Sequence, residues 1–259
     1  MTDTDPTQEN PKDPTENPGE FWNVRGETFD ASLRLFVDSV QGETWVDYAQ
    51  TTMPREVLAE FGMIDKEGSE EWINVLEHSM AVTISCIDLA ERLQAQGVLV
   101  DVDAVERAAW VHDAHKRFDI EKKLTREAEA QDTALGSILE KNDYTNVEIA
   151  AAKNSGRLYD RYLEGDERNR VIESRSIEEN IVGYIDARHR GTKLMTLKDA
   201  RDESIRAKPK DEAFFRDNWY PYYTAVEGYF AVLAPNFKPD DLTEESRYRT
   251  VQNRLDERT

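Results

Sequence analysis

The sequence predicts an all-α protein, and three observations carry that reading. Apolar residues recur at spacings of three and four through most of the chain beyond position 20. Helix-start signals precede several of these runs. Strand-like alternation is nearly absent, with VLVDV at 98–102 the one weak exception.

Taken in order, residues 1–20 come first. They are rich in Asp, Glu, Thr, Asn and Pro and hold no aliphatic residue after Met1. Such a segment has nothing to bury against the entropy of ordering, so it reads as a disordered acidic tail. Residues 21–259 read as one helical domain, with no second boundary and no repeat. ASLRLFVDSV (31–40) is a short amphipathic candidate. A long helix follows Gly68 and Ser69, running from about 70 to 96 and ending near Gly97, with Trp72, Leu76, Met80, Ile84 and Ile87 as its stripe. Asp103 opens the next helix, with Glu106 in capping-box spacing. Further candidates are 119–130, 132–141 and 145–163. Ser176 and Glu179 form a second box that opens a helix to about Arg188. The last candidates are 211–233, where Pro221 kinks or starts a helix, and 241–256.

Composition excludes several classes. The chain is 39% hydrophobic and 33% charged, with a mean hydropathy of −0.74, and no run approaches the roughly 18 apolar residues that span a bilayer. The N-terminus lacks a basic region followed by an apolar one, so it does not read as a secretory signal and a cytoplasmic protein is expected. Cys86 is the only cysteine, which rules out an internal disulfide and a multi-cysteine zinc site; it reads as a small core residue. A net charge of −20 weighs against nucleic acid as a partner. It leaves room for a small phosphorylated substrate held by a metal and a few local cations, and for a homo-oligomer.

Four histidines are present: His78, His112, His115 and His189. His78 aligns with Val75, Val82 and Leu89, and His112 follows Val105, Ala108 and Ala109. Asp186 follows Val182 by four and precedes His189 by three, which puts them on one helix face. A lone histidine on an apolar face is more often a satisfied core group. A carboxylate there is costly without a cation, so Asp113 and Asp186 demand partners. Three separate helices thus present His, His-Asp and Asp inward, in that order.

His78 lies in WINVLEHSMAVTISCIDLAERL, His112 and Asp113 in AAWVHDAHK, and Asp186 in NIVGYIDARHRGTKLMTL. This ordered set resembles the HD-domain superfamily of metal-dependent phosphohydrolases, over about residues 70–205. The resemblance implies an HD-type helical fold. It also implies metal ligation by His78, His112, Asp113 and Asp186, and a phosphate-contacting role for Lys116. His115 stands where the second motif usually has Gly. Residues 117–185 hold none of the extra histidines of two-metal branches, so one metal is expected.

The mixed nitrogen and oxygen set suits Mn, Fe, Co, Ni, Zn or Mg. The expected activity is hydrolysis of a phosphate ester, of a nucleotide or another small metabolite, by attack of metal-activated water. The alternative is a catalytically silent HD-fold module that binds a ligand or signals. Lys116 would neutralise charge on the phosphoryl group, and His115 would protonate the leaving oxygen or hold phosphate. His189, Arg188, Arg190 and Lys193 follow Asp186 as candidate substrate anchors; solvated cations at a helix end are the plainer reading. Lys153, Asn154 and Arg157 are weaker candidates. The aromatic run at 214–230 is either a stacking surface for a base or part of the core.

Overall fold

The computed structural model describes residues 39–64, 73–116, 128–154 and 162–258. The acidic tail, Trp72, the candidate helix start at 119–127 and Arg157 lie outside the described residues. Within them the chain is overwhelmingly helical. The helices are α1 (Ser39–Thr52), α2 (Arg55–Glu60), α3 (Ile73–Gln94), α4 (Val102–Val111), α5 (Ala128–Lys141), α6 (Asn146–Asn154), α7 (Gly165–Ser174) and α8 (Ile177–Arg188). A hairpin of β1 (His189–Arg190) and β2 (Lys193–Leu194) follows, pairing His189 with Leu194 and Arg190 with Lys193. After it come α9 (Leu197–Ala207), α10 (Tyr220–Leu233) and α11 (Glu244–Asp256). No described helix is long and apolar enough to cross a membrane.

Helix α3 is the central element, buried without interruption from position 75 to 90. Its interior polar residues bond back to their own helix: Thr83 Oγ1 donates to Ser79 O at 2.7 Å and Ser85 Oγ to Ala81 O at 2.9 Å. The helix ends as the sequence predicts. Gly97 adopts φ +86°, and the Val98 amide reaches back to Leu93 O at 3.1 Å. Against α3 pack α4 and α8, which also touch each other and α6. Helix α11 covers α1 and α3, and α10 covers α7, α8 and α9.

Several elements differ from expectation. Helix α4 is capped by Asp101, whose side chain accepts from the Ala104 amide at 3.0 Å. Glu106 is drawn inward instead. It is 3% exposed and accepts from Tyr48 Oη at 2.7 Å, Arg254 Nη2 at 2.5 Å and Arg258 Nη2 at 2.7 Å. VLVDV forms no strand: Val100 is buried, Leu99 stands in solvent, and α4 begins at Val102. Of the candidate helix at 145–163, Asn146–Asn154 is helical and residues 155–161 lie outside the described residues, as do residues 31–38 of the candidate at 31–40. Four of the described helices have no counterpart among the predicted elements: α1 beyond residue 40, α2, α7 and α9; the last two are very polar, α7 burying only Ile172 and α9 only Leu197, Ala200 and Ser204.

The Ser176 and Glu179 capping box is present in full. Pro221 sits in the first turn of α10, after a π-type turn at Phe215–Trp219. Trp219, Tyr222, Tyr223 and Phe230 of the aromatic run are buried in the core.

Candidate metal centre

Three elements deliver the site. Helix α3 carries His78 and α8 carries Asp186. Helix α4 ends at Val111, so His112 is its C-cap and Asp113 lies in the turn beyond. That turn is tight, with the Ala114 amide on Val111 O and the Lys116 amide on Asp113 O, both at 3.0 Å. His78, His112, Asp113 and Asp186 each bring one ligand atom, and these atoms lie within 4.8 Å of one another. His78 Nε2 is 3.1 Å from Asp186 Oδ1 and 3.2 Å from Asp113 Oδ2. His112 Nε2 is 3.5 Å from the same two oxygens.

The other ring nitrogens explain this orientation. His78 Nδ1 donates to Gly191 O at 2.7 Å, and His112 Nδ1 donates to Ala109 O at 2.6 Å. A carbonyl only accepts, so each ring must keep its proton on Nδ1 and turn Nε2 to the carboxylates. Two nitrogen lone pairs facing two carboxylates repel unless a cation stands between them. In the metal-free protein a proton does this. Burial alone pushes the His78 imidazole down, but hydrogen bonds to Asp113 and Asp186 outweigh it and raise its pKa from 6.5 to about 9. Burial pushes the Asp113 carboxyl up, yet Lys116, His112 and His78 hold it far below the carboxylate range. Asp186 is held down in the same way by His112 and His78. A proton so placed, between nitrogen and oxygen donors, occupies the position that a divalent metal would take. The donor set fits the metal.

The remaining candidates separate by position. Lys116 stands at the site, its Nζ donating to Asp113 Oδ2. This follows from the tight turn, which sets Lys116 over Asp113 rather than one helical turn beyond His112. His115 is half-buried in that turn. His189 does not share a helix face with Asp186, because α8 ends one residue before it. It caps the helix in an extended conformation, 2% exposed, with Nδ1 donating to Ile185 O at 2.8 Å and Nε2 3.3 Å from Ser85 Oγ.

Arg188 is buried and bonds the Met195 and Pro239 carbonyls. Arg190 bonds the carbonyls of His189 and Ala200 and lies over the Trp219 ring. Both cations thus serve the local fold around the hairpin. Lys193 is exposed on β2. Lys153 is half-buried, its amine set against Gly136, where a Cβ would come within 2.9 Å of Nζ. Asn154 ends α6.

Gly191 is the functional position that sequence reasoning missed. Its signal was the turn-forming Gly in HRGTK just after α8, and its φ of +58° confirms the need for glycine. No family model, curated protein or solved structure matches the chain. On their own geometry, His78, His112, Asp113 and Asp186 identify a protein with a site able to hold a metal ion.

Proposed function

We propose that this chain is a metal-dependent phosphohydrolase of the HD-domain type, acting on a nucleotide or another small phosphate ester. One observation carries the reading most. Two imidazoles with fixed Nδ1 protons and two carboxylates converge within 4.8 Å, beside a lysine whose side chain is 44% exposed. When bound, a divalent metal supplies Lewis acidity and acidifies water at neutral pH.

The chain's own residues do the rest. Asp113 and Asp186 provide the negative charge that holds the cation, and the carbonyls of Ala109 and Gly191 hold the imidazoles in the ligating tautomer. Lys116 is at the exposed side of Asp113 and can neutralise a phosphoryl oxygen. His115, in the same turn, is the nearby histidine able to offer a proton to a leaving oxygen. No side-chain nucleophile is required for this chemistry.

The test is a panel of phosphomonoesters, nucleotides and cyclic dinucleotides, each assayed with several divalent metals. Phosphate release should need metal, stop with chelator, and vanish in Asp113→Ala. Metal uptake without turnover of any substrate class would leave a ligand-binding module instead.

A further inference from the structure

Asp113 Oδ2 is the crowded atom of the centre. It lies 3.2 Å from His78 Nε2 and 3.5 Å from His112 Nε2, and it also accepts from Lys116 Nζ. Asp113 is nearly sealed, at 3% side-chain exposure, whereas Lys116 is 44% exposed. The lysine therefore reaches in from the rim of the site. The tight turn after Val111, with the Lys116 amide on Asp113 O, fixes this pairing. An ammonium and a divalent cation on one carboxylate oxygen repel each other strongly at such range, the more so in a desolvated site.

We infer that Lys116 is a stand-in for the metal: in the metal-free protein its ammonium neutralises Asp113, and metal binding displaces it to the mouth of the site. The inference rests on the metal-centre reading given above. Its consequence is an order of events. The ammonium of Lys116, bonded to Asp113, becomes available to an anionic group only after the metal is in place. Loading and anion capture are then coupled, and by linkage each strengthens the other.

The experiment uses the full chain, stripped by chelator, with zinc alone as the probe. An amine-reactive ester is applied and labelling is read by mass spectrometry, with exposed Lys193 as the internal reference. Zinc should raise Lys116 labelling about tenfold relative to Lys193, because an amine displaced from Asp113 to the mouth of the site is open to the reagent. Inorganic phosphate should then protect Lys116 in the loaded protein and not in the stripped one. In chelator competition, Lys116→Met should bind zinc about tenfold more tightly than the parent, while Lys116→Arg, which keeps the charge on Asp113, should not. Labelling that stays level or falls on zinc addition overturns the inference, as does a Lys116→Met variant that binds zinc no more tightly. Those results leave the metal centre standing. Failure of the parent to take up zinc, with Asp113→Ala behaving identically, overturns both.

Discussion

His78 donates a hydrogen bond from Nδ1 to the carbonyl of Gly191, 2.7 Å away and 113 residues further along the chain. The carbonyl is presented by a backbone at φ +58°, and a Cβ added there would meet nothing within 4 Å. Any cost of substitution is therefore conformational. Gly191→Val should destabilise by about 2 kcal/mol. It should also weaken metal binding roughly tenfold by moving the carbonyl. Gly191→Asn, which tolerates the left-handed region, should stay close to the parent. Urea unfolding and metal titration of the two variants decide this; equal losses in both would show that the left-handed backbone is not what requires glycine here.

The pH dependence has a definite sign. His78 titrates at about 9 in the metal-free fold against 6.5 unfolded, so its contribution is complete below pH 6.5 and is lost as pH rises through 9. That contribution is at most about 3 kcal/mol. Asp113 and Asp186 are held below their unfolded value of 3.8, so their contribution exists above that value and is lost as pH falls beneath it. These groups make the metal-free protein most stable between pH 3.8 and 6.5. Metal binding must expel the His78 Nε2 proton, so metal affinity should climb with pH up to about 9 and then level off. Chelator competition across that range is the measurement, and a flat profile would remove His78 from the ligand set.

Glu106 should matter for stability and not for the metal. It accepts from Tyr48, Arg254 and Arg258 while only 3% exposed. Glu106→Ala strands buried donors and should cost about 3–5 kcal/mol. Zinc affinity of the folded protein should stay within about twofold, since Glu106 contacts no ligand. Replacing Glu106 and Arg254 together by Met should recover much of the loss in urea unfolding. No recovery would mean the packing, not the charge, is what Glu106 supplies.

His189 should be silent in the pH–rate profile. Burial and the Arg247 guanidinium push its pKa well below 6.5, so it stays neutral where the protein works. His189→Gln should cost about 1 kcal/mol, through weakened bonds to Ile185 O and Ser85, and leave the profile's shape intact. His115→Gln should lower turnover and leave metal content intact. Loss of a limb in His189→Gln would place that ring in contact with substrate.

What was legible in the sequence follows from what burial requires. Apolar periodicity marked α3, and the Ser176 and Glu179 box marked the start of α8, because both signals are local. The four candidate ligands could be found because carboxylates on otherwise apolar helices ask for a cation, and because their order along the chain resembles that of HD-domain proteins. What sequence could not show depends on tertiary partners or on backbone detail. Asp103 lost the capping role to Asp101 once Glu106 was drawn towards Tyr48 and two arginines. The end of α4 at Val111 moved Lys116 from the face of His112 onto Asp113. A backbone carbonyl such as that of Gly191 has no residue-type signature at all. Helices α7 and α9 hid behind polar composition, since docking of one or a few side chains stabilises them.

The separations along the chain carry a kinetic consequence. His78 and Asp186 meet across 108 residues, and only His112 and Asp113 are neighbours in sequence. An unfolded chain therefore presents no pocket for a metal, and the centre closes only when α8 and its hairpin dock on α3. Contacts of such long range form late, after most loop entropy has been spent. A metal held there would leave the folding rate nearly unchanged and act as a brake on unfolding, lengthening the lifetime of the native state.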